Sequence, residues 1–314
     1  MRVTPDLGDL ARWAFWDPFG RMARHDPRWI GLASRAWPLH PARRGVRRML
    51  LEDELRRSFG PKAATHADAC IRAGTRAQLD DLRLDDPAIR FDGLENLDRA
   101  LAHGRGAIWL HPHAGPVLRM LAGLVRRGYR CAQVAARGLA PDWTGDPARM
   151  GGNWFRERVR RVREADEDRI DATFLDQTVP VRLLHRALSD GAVVDIAFDG
   201  RLGRGWVLLP YLGRTALLSP GPYKLAVQTG ALVVPAFCRS DEPLPVCEVG
   251  EPIEPGGEWR EVAARVLDRA QAALEQHPEQ YGLWLLHCRE RRTADDHPLF
   301  VDYAPDHRWR RWER

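Results

Sequence analysis

Lysine is nearly missing from this chain. Lys62 and Lys224 are its only lysines, although 48 residues are basic. Positive charge is therefore carried by arginine, whose guanidinium fork suits phosphate and anionic head groups. Against 43 acidic residues the formal excess is +5, too modest to argue for a nucleic-acid partner, and none is expected. Cysteine is sparse and odd in number: Cys70, Cys131, Cys238, Cys247 and Cys288, with no C-x-x-C pair. Neither a disulfide framework nor a zinc knuckle is suggested, and a reducing cytosolic setting fits best. No apolar run approaches the roughly 18 residues needed to cross a bilayer. Asp6 and Asp9 interrupt the N-terminus, which has no continuous apolar stretch and does not read as a signal peptide. Membrane contact is expected to be peripheral. No G-x-G-x-x-G follows the first strand, and G-x-x-x-x-G-K-[ST], H-E-x-x-H and G-x-S-x-G are all missing. Dinucleotide, nucleoside triphosphate, zinc-protease and serine-hydrolase chemistries lose their usual support. No cofactor or metal is called for.

The 314 residues are 44% apolar and 29% charged, enough for one large α/β domain or two small ones. Residues 1–60 read as a helical region. Trp13, Trp16, Trp29 and Trp37 alternate there with arginines, a combination suited either to a lipid head-group interface or to a helical layer packed on the main domain. Residues 61–292 alternate short apolar runs with helical periods. Strands are expected at 88–91, 107–110, 130–135, 192–198, 206–209, 216–218, 231–239 and 246–249. Helices are expected at 62–85, 94–102, 117–127, 151–164, 179–189, 222–229 and 259–276. That alternation implies an α/β fold with a mostly parallel mixed sheet flanked by helices. Residues 293–314 form a polar tail ending in Arg308-Trp309-Arg310-Arg311-Trp312.

Two strand ends carry the candidate chemistry. Gly106-Ala-Ile-Trp-Leu-His111-Pro-His113-Ala-Gly115 is an apolar strand running into a turn with two histidines and then a helix. Active sites of open α/β sheets lie beyond the carboxyl ends of strands. A histidine there suits general-base work at neutral pH. Gly191-Ala-Val-Val-Asp-Ile-Ala-Phe-Asp199-Gly200-Arg201 is a second buried strand ending in polar residues. It leads into Leu209-Pro-Tyr-Leu-Gly213-Arg214 and then Gly221-Pro-Tyr-Lys224-Leu-Ala and Gly230-Ala-Leu-Val-Val-Pro235. Cys131 and Cys238 flank strands and are expected to be buried and inert.

The order of these segments resembles the bacterial lipid A biosynthesis acyltransferases, the lauroyl- and myristoyl-transferring branch of the lysophospholipid acyltransferase superfamily. Phe91-Asp-Gly-Leu-Glu-Asn-Leu, Arg137, Asn153-Trp-Phe-Arg and His277-Pro-Glu-Gln-Tyr-Gly-Leu-Trp-Leu-Leu-His are similar to further parts of its pattern, and the resemblance spans roughly residues 50–295. It implies transfer of a fatty acyl chain from acyl carrier protein or acyl-CoA to a hydroxyl of a glycolipid or lysolipid, at the cytoplasmic face of the inner membrane. It implies His113 as the base, with His111, Arg137, Arg201 and Arg214 as substrate contacts. One departure stands out. The family places an acidic residue five positions after the histidine, where this chain has Leu118. Asp199, at the end of the second apolar strand, is the expected substitute for that acid, because strand ends converge at the carboxyl edge of the sheet. Backbone N–H groups of the helix after Gly115 are expected to help hold an oxyanion. The alternatives are a pseudoenzyme that binds lipid or acyl carrier, and an acyltransferase for another acceptor such as a phosphatidylinositol mannoside or a secondary metabolite.

Overall fold

Short β-branched and apolar runs become strands buried on both faces, and the helical periods between them cover the sheet. The structure, a computed structural model, describes residues 18–36, 46–84, 88–135, 154–175, 180–200, 205–241, 243–290 and 298–303. Among these, nine strands occur in chain order: β1 (Arg90–Asp92), β2 (Ala107–His111), β3 (Cys131–Val134), β4 (Thr173–Leu175), β5 (Val193–Ala197), β6 (Val207–Tyr211), β7 (Arg214–Leu218), β8 (Leu232–Arg239) and β9 (Val246–Val249). Seven of them form one sheet in the order β1-β9-β8-β2-β5-β3-β4. From β8 to β4 every pairing is parallel, and β9 runs antiparallel to β8 with β1 alongside it. β6 and β7 form a separate antiparallel hairpin. The fold is thus α/β with a mostly parallel mixed sheet, as the alternation implies.

Side chains alternate across the sheet with the strand period of two. Ile108 and Leu110 of β2 and Val194 and Ile196 of β5 face one apolar core, shared with Tyr223, Leu225 and Ala226 from helix Gly221–Thr229 and Val262, Val266 and Leu267 from helix Trp259–Gln276. Ala107, Trp109 and Val193 face the other, with Leu97 of helix Glu95–Ala102 and Leu118, Leu121 and Leu124 of helix Val117–Arg126. The central strands therefore lie between helical layers, the arrangement that parallel strands require.

The N-terminal helical region is described in part. Helix Arg28–Ala36 buries Ile30 and Ala33 in a small cluster with Ala23 and Leu79, and Phe19 and Trp29 pack beside it. Helix Val46–Phe59 packs Leu51 and Leu55 against Ala67, Cys70 and Ile71 of helix Ala67–Asp80 and against Leu286. Trp13, Trp16, Trp37 and the tail with Trp309 and Trp312 lie outside the described residues. No helix among the described residues is long and apolar enough to cross a membrane.

Candidate active site

β2 and β5 are neighbours, and their register brings the two candidate strand ends together. Ala107 pairs with Val193, and the pairing runs without interruption to His111 opposite Ala197. Two residues further on, the same offset sets His113 opposite Asp199. The contact is direct: His113 Nδ1 lies 2.6 Å from Asp199 Oδ1, and the backbone N–H of His113 donates to Oδ1 and Oδ2 at 3.2 and 3.1 Å. The tyrosine hydroxyl of Tyr281 donates to Oδ2 at 2.6 Å. Asp199 is wholly buried, whereas the His113 side chain is 31% exposed.

The electrostatics follow from those contacts. Burial opposes charge on Asp199, but the adjacent His113 and the hydrogen bonds from His113 and Tyr281 outweigh it and hold the carboxyl below its usual range. Burial, reinforced by the Asp199 charge, pushes the Tyr281 phenol well above its ordinary range, so it remains a proton donor to the carboxylate. The indole of Trp284 stacks on the His113 ring with centroids 3.9 Å apart and planes within 13°. His287 stacks on Trp284 in turn, at 4.9 Å. His113 is thus fixed at Nδ1 by the carboxylate and across its plane by the indole. Among the described residues no protein group is bonded to Nε2.

The turn that carries His113 depends on one glycine. Gly115 has φ +68°, and a Cβ there would stand 2.3 Å from the Cys238 carbonyl oxygen. Only a residue without a side chain lets the turn pass so close to β8 before the helix begins. Leu118, the second residue of that helix, is buried in the core cluster that holds Trp109 rather than turned to the histidine.

The remaining expected site residues fall in three groups. Arg137 and Arg201 lie outside the described residues. His111 is 2% exposed, with Nε2 at 3.0 Å from Asp195 and Nδ1 at 2.8 Å from the Pro112 carbonyl, so both nitrogens face inward and direct contact with substrate does not fit its position. Arg214 is also engaged internally. Its guanidinium pairs with Glu54 at 2.9 Å and Asp302 at 2.6 Å and lies over the Phe300 ring. Glu54 is itself buried and also takes Arg289 at 2.7 Å. Arg214 is thus a cross-link between β7, helix Val46–Phe59 and the segment around Asp302, not a free fork for phosphate.

The helix expected to hold an oxyanion is also occupied at its start. Asp81 accepts from the backbone N–H of Arg119 at 3.1 Å, and that of Leu118 bonds it as well. Those donors are consequently spoken for within the fold. Cys131 and Cys238 are buried free thiols, and burial pushes the Cys131 thiol up to about 12, which suits inert packing. Tyr281 and Trp284 were visible in the sequence only as part of the 277–287 signature, with no role attached. That signature is what brings helix Gly282–Glu290 against the site.

Comparison with known proteins agrees with this order of segments. The sequence model of the family described as bacterial lipid A biosynthesis acyltransferase matches residues 148–289. Phosphatidylinositol mannoside acyltransferases of two Mycobacterium tuberculosis strains, H37Rv and CDC 1551, are each 27% identical over 207 residues. Those alignments cover 64% of this chain and 62% of the relatives, so the match spans somewhat under two thirds of their length. The resemblance read from the motifs is borne out by both matches, and the chain is similar to the bacterial lipid A biosynthesis acyltransferases over its C-terminal half.

Proposed function

We propose that the protein is an O-acyltransferase that moves a fatty acyl chain from a thioester, carried by acyl carrier protein or coenzyme A, to a hydroxyl of a glycolipid or lysolipid. The observation that carries this reading is the contact between His113 Nδ1 and the buried Asp199 carboxylate. It leaves Nε2 as the ring's reactive nitrogen. The acceptor hydroxyl gives its proton to Nε2 as its oxygen bonds to the thioester carbonyl carbon. The tetrahedral intermediate collapses with loss of the thiolate, and the imidazolium returns the proton to that sulfur. Asp199 holds the ring's tautomer and stabilises its transient positive charge, a role for which its depressed proton affinity suits it. The thioester is already activated, so no covalent intermediate on the enzyme is needed. A carboxylate within hydrogen-bond reach of the ring favours this reading over a pseudoenzyme. The mannoside acyltransferase relatives favour a phosphate-bearing, glycosylated lipid as acceptor, with Arg137 and Arg201 the arginines proposed to meet its phosphate.

The protein is further proposed to act as a peripheral protein at the cytoplasmic face of the inner membrane. Helix Arg28–Ala36 supports this: Arg28, Leu32 and Arg35 are exposed and recur at helical spacing on the face opposite Ile30 and Ala33. Purified protein incubated with acyl-CoA and acyl carrier protein thioesters, with and without a lysolipid or a phosphatidylinositol mannoside, tests the activity. Acceptor-dependent thiol release that disappears in His113→Ala is the expected result. Turnover unchanged by that substitution would overturn the assignment. Flotation with anionic and neutral vesicles tests the membrane surface; equal recovery at low salt would argue for plain helix packing instead.

A further inference from the structure

A second histidine–aspartate pair lies directly beneath the first. His111 ends β2, and Asp195 of β5 sits with one carboxylate oxygen 3.0 Å from His111 Nε2, an ion-pair contact outside hydrogen-bond geometry. The other carboxylate oxygen accepts from Gln133 Nε2 of β3 at 3.0 Å. On its far side, His111 Nδ1 lies 2.8 Å from the Pro112 carbonyl oxygen. Both ring nitrogens therefore face acceptors, and the pair is removed from water, at 2% and 0% exposure. A neutral imidazole keeps one nitrogen unprotonated, which here would set its lone-pair side about as close to a carbonyl or carboxylate oxygen as a donor would stand, a repulsive conflict. Protonation at both nitrogens resolves that conflict.

The Pro112–His113 peptide group joins this pair to the reactive one. Its carbonyl accepts from His111, and its N–H is the donor to both oxygens of Asp199. A run of contacts thus leads from Gln133 through Asp195, His111 and one peptide unit to Asp199, and from there to His113 Nδ1.

We infer that His111 is a positioning residue: held as an imidazolium by Asp195, it orients and polarises the 112–113 peptide so that its N–H clamps the Asp199 carboxylate beneath His113. Asp195 of β5 and Asp199 just beyond it act on this ring, with His113 two residues along its own turn, and the two carboxylates favour the charged form. Burial opposes that charge, but Asp195 outweighs it, and the His111 proton affinity is raised. Hydrogen bonding in a dry interior is mutually reinforcing, so a charged donor on the carbonyl strengthens the N–H at the other end of the same amide.

The charge state is checked without substrate. Ring ¹⁵N correlation spectra of the labelled full-length protein, with His111 assigned by loss of its signals in His111→Gln, report both nitrogens separately. The expected result is an imidazolium pattern at pH 7.5 in the native protein and a neutral ring at that pH in Asp195→Asn. A neutral His111 at pH 7 in the native protein overturns the inference, as does an imidazolium that survives Asp195→Asn. The positioning role rests on the acyl-transfer reading and is tested by thioester turnover against pH. Removing a nearby positive charge makes the His113–Asp199 pair hold a proton more tightly. His111→Gln should therefore move the acid limb upward by about half to one pH unit, roughly a 3- to 10-fold rate loss at pH 6 that vanishes by pH 8.5. A loss equal at every pH would indicate structure alone and overturn the role. A native protein without turnover would overturn the acyl-transfer reading while leaving the spectroscopic result standing.

Discussion

Two histidine–aspartate pairs join β2 and β5 at and just beyond their ends, the histidines two residues apart and the aspartates four, with the same side-chain types and different surroundings. In the upper pair, His113 and Asp199, the ring is about a third exposed and one nitrogen is unengaged among the described residues. In the lower pair, His111 and Asp195, the ring is almost wholly buried and both nitrogens meet oxygen. A proton on the upper ring can be exchanged with a ligand, whereas one on the lower ring has nowhere to go. Exposure of a single nitrogen thus separates a group fit for proton transfer from a fixed charge. Neighbouring contacts enforce the difference: Trp284 stacks on the upper ring, the buried Tyr281 donates to its carboxylate, and Gln133 braces the lower pair from within the sheet.

The largest expected effect tests that separation directly. Asp199→Asn should reduce turnover by about 10²–10⁴-fold, the range of acid–base assistance. Asp195→Asn should cost under about tenfold at pH 8 if its effect is only electrostatic and transmitted through one peptide. Side-by-side kinetics of the two variants give the ratio, and equal losses would erase the distinction between the pairs. Next in size is Leu118→Glu, which asks whether the acid can instead arrive from the helix. Leu118 is in the core, so an ionised glutamate there would be buried without a partner and should destabilise the fold by about 3–5 kcal/mol. It should restore no turnover to Asp199→Asn. Denaturant titration and the thioester assay read the two results.

Smaller effects sharpen the comparison. Tyr281→Phe removes one hydrogen bond to a charged carboxylate and should cost roughly 1.5–3 kcal/mol of stability. Trp284→Leu removes the stacked face of His113 and should cost about 0.5–1.5 kcal/mol beyond its buried area. The smallest effect lies in the pH dependence of stability, where the two pairs act at opposite ends. His111 has a raised proton affinity, so its contribution is complete below its unfolded pKa near 6.5 and is lost as pH rises through its folded value. Asp199 has a lowered one, so its contribution is complete above about pH 4 and is lost as pH falls through its folded value. Each accounts for at most one proton, about 1.4 kcal/mol per pH unit. Denaturation midpoints from pH 3 to 9 should lose their alkaline slope in His111→Gln and part of their acid slope in Asp199→Asn.

Much of the fold is legible in the sequence because its strands are uninterrupted apolar runs closed by glycine or polar residues. Ala107–His111 and Val193–Ala197 fall within a residue or two of where those runs lie. β4 is not legible, since Thr173-Phe174-Leu175 is too short to show a period. Helix Gly282–Glu290 has Leu283, Trp284, Leu285 and Leu286 in succession, which hides its helical spacing. For the site, spacing along the chain is the wrong measure. Leu118 stands where the acid is expected because the helix after the histidine is the expected route, but Asp199 reaches the ring through strand register, which no local pattern displays. Arg214 shows the same limit in reverse. Beside a turn it reads as a ligand fork, and only the fold reveals Glu54, 160 positions away, as its partner. His111 and His113 look interchangeable in sequence, but His111 is the last residue of β2 and is buried, whereas His113 lies in the turn beyond the strand and stays in reach of a ligand.

Tyr281 and Trp284 also set a timetable for synthesis. His113 and Asp199 leave the ribosome well before the helix that braces them, by on the order of ten seconds at ordinary elongation rates. During that interval the sheet can form with both dyad residues in register, yet neither the phenol that steadies the carboxylate nor the indole that fixes the ring is present. On the proposed mechanism, a nascent chain at that stage would offer an acyl donor only an unbraced histidine. Competence for the proposed transfer would then arrive with the docking of Tyr281 and helix Gly282–Glu290, late in the life of the growing chain.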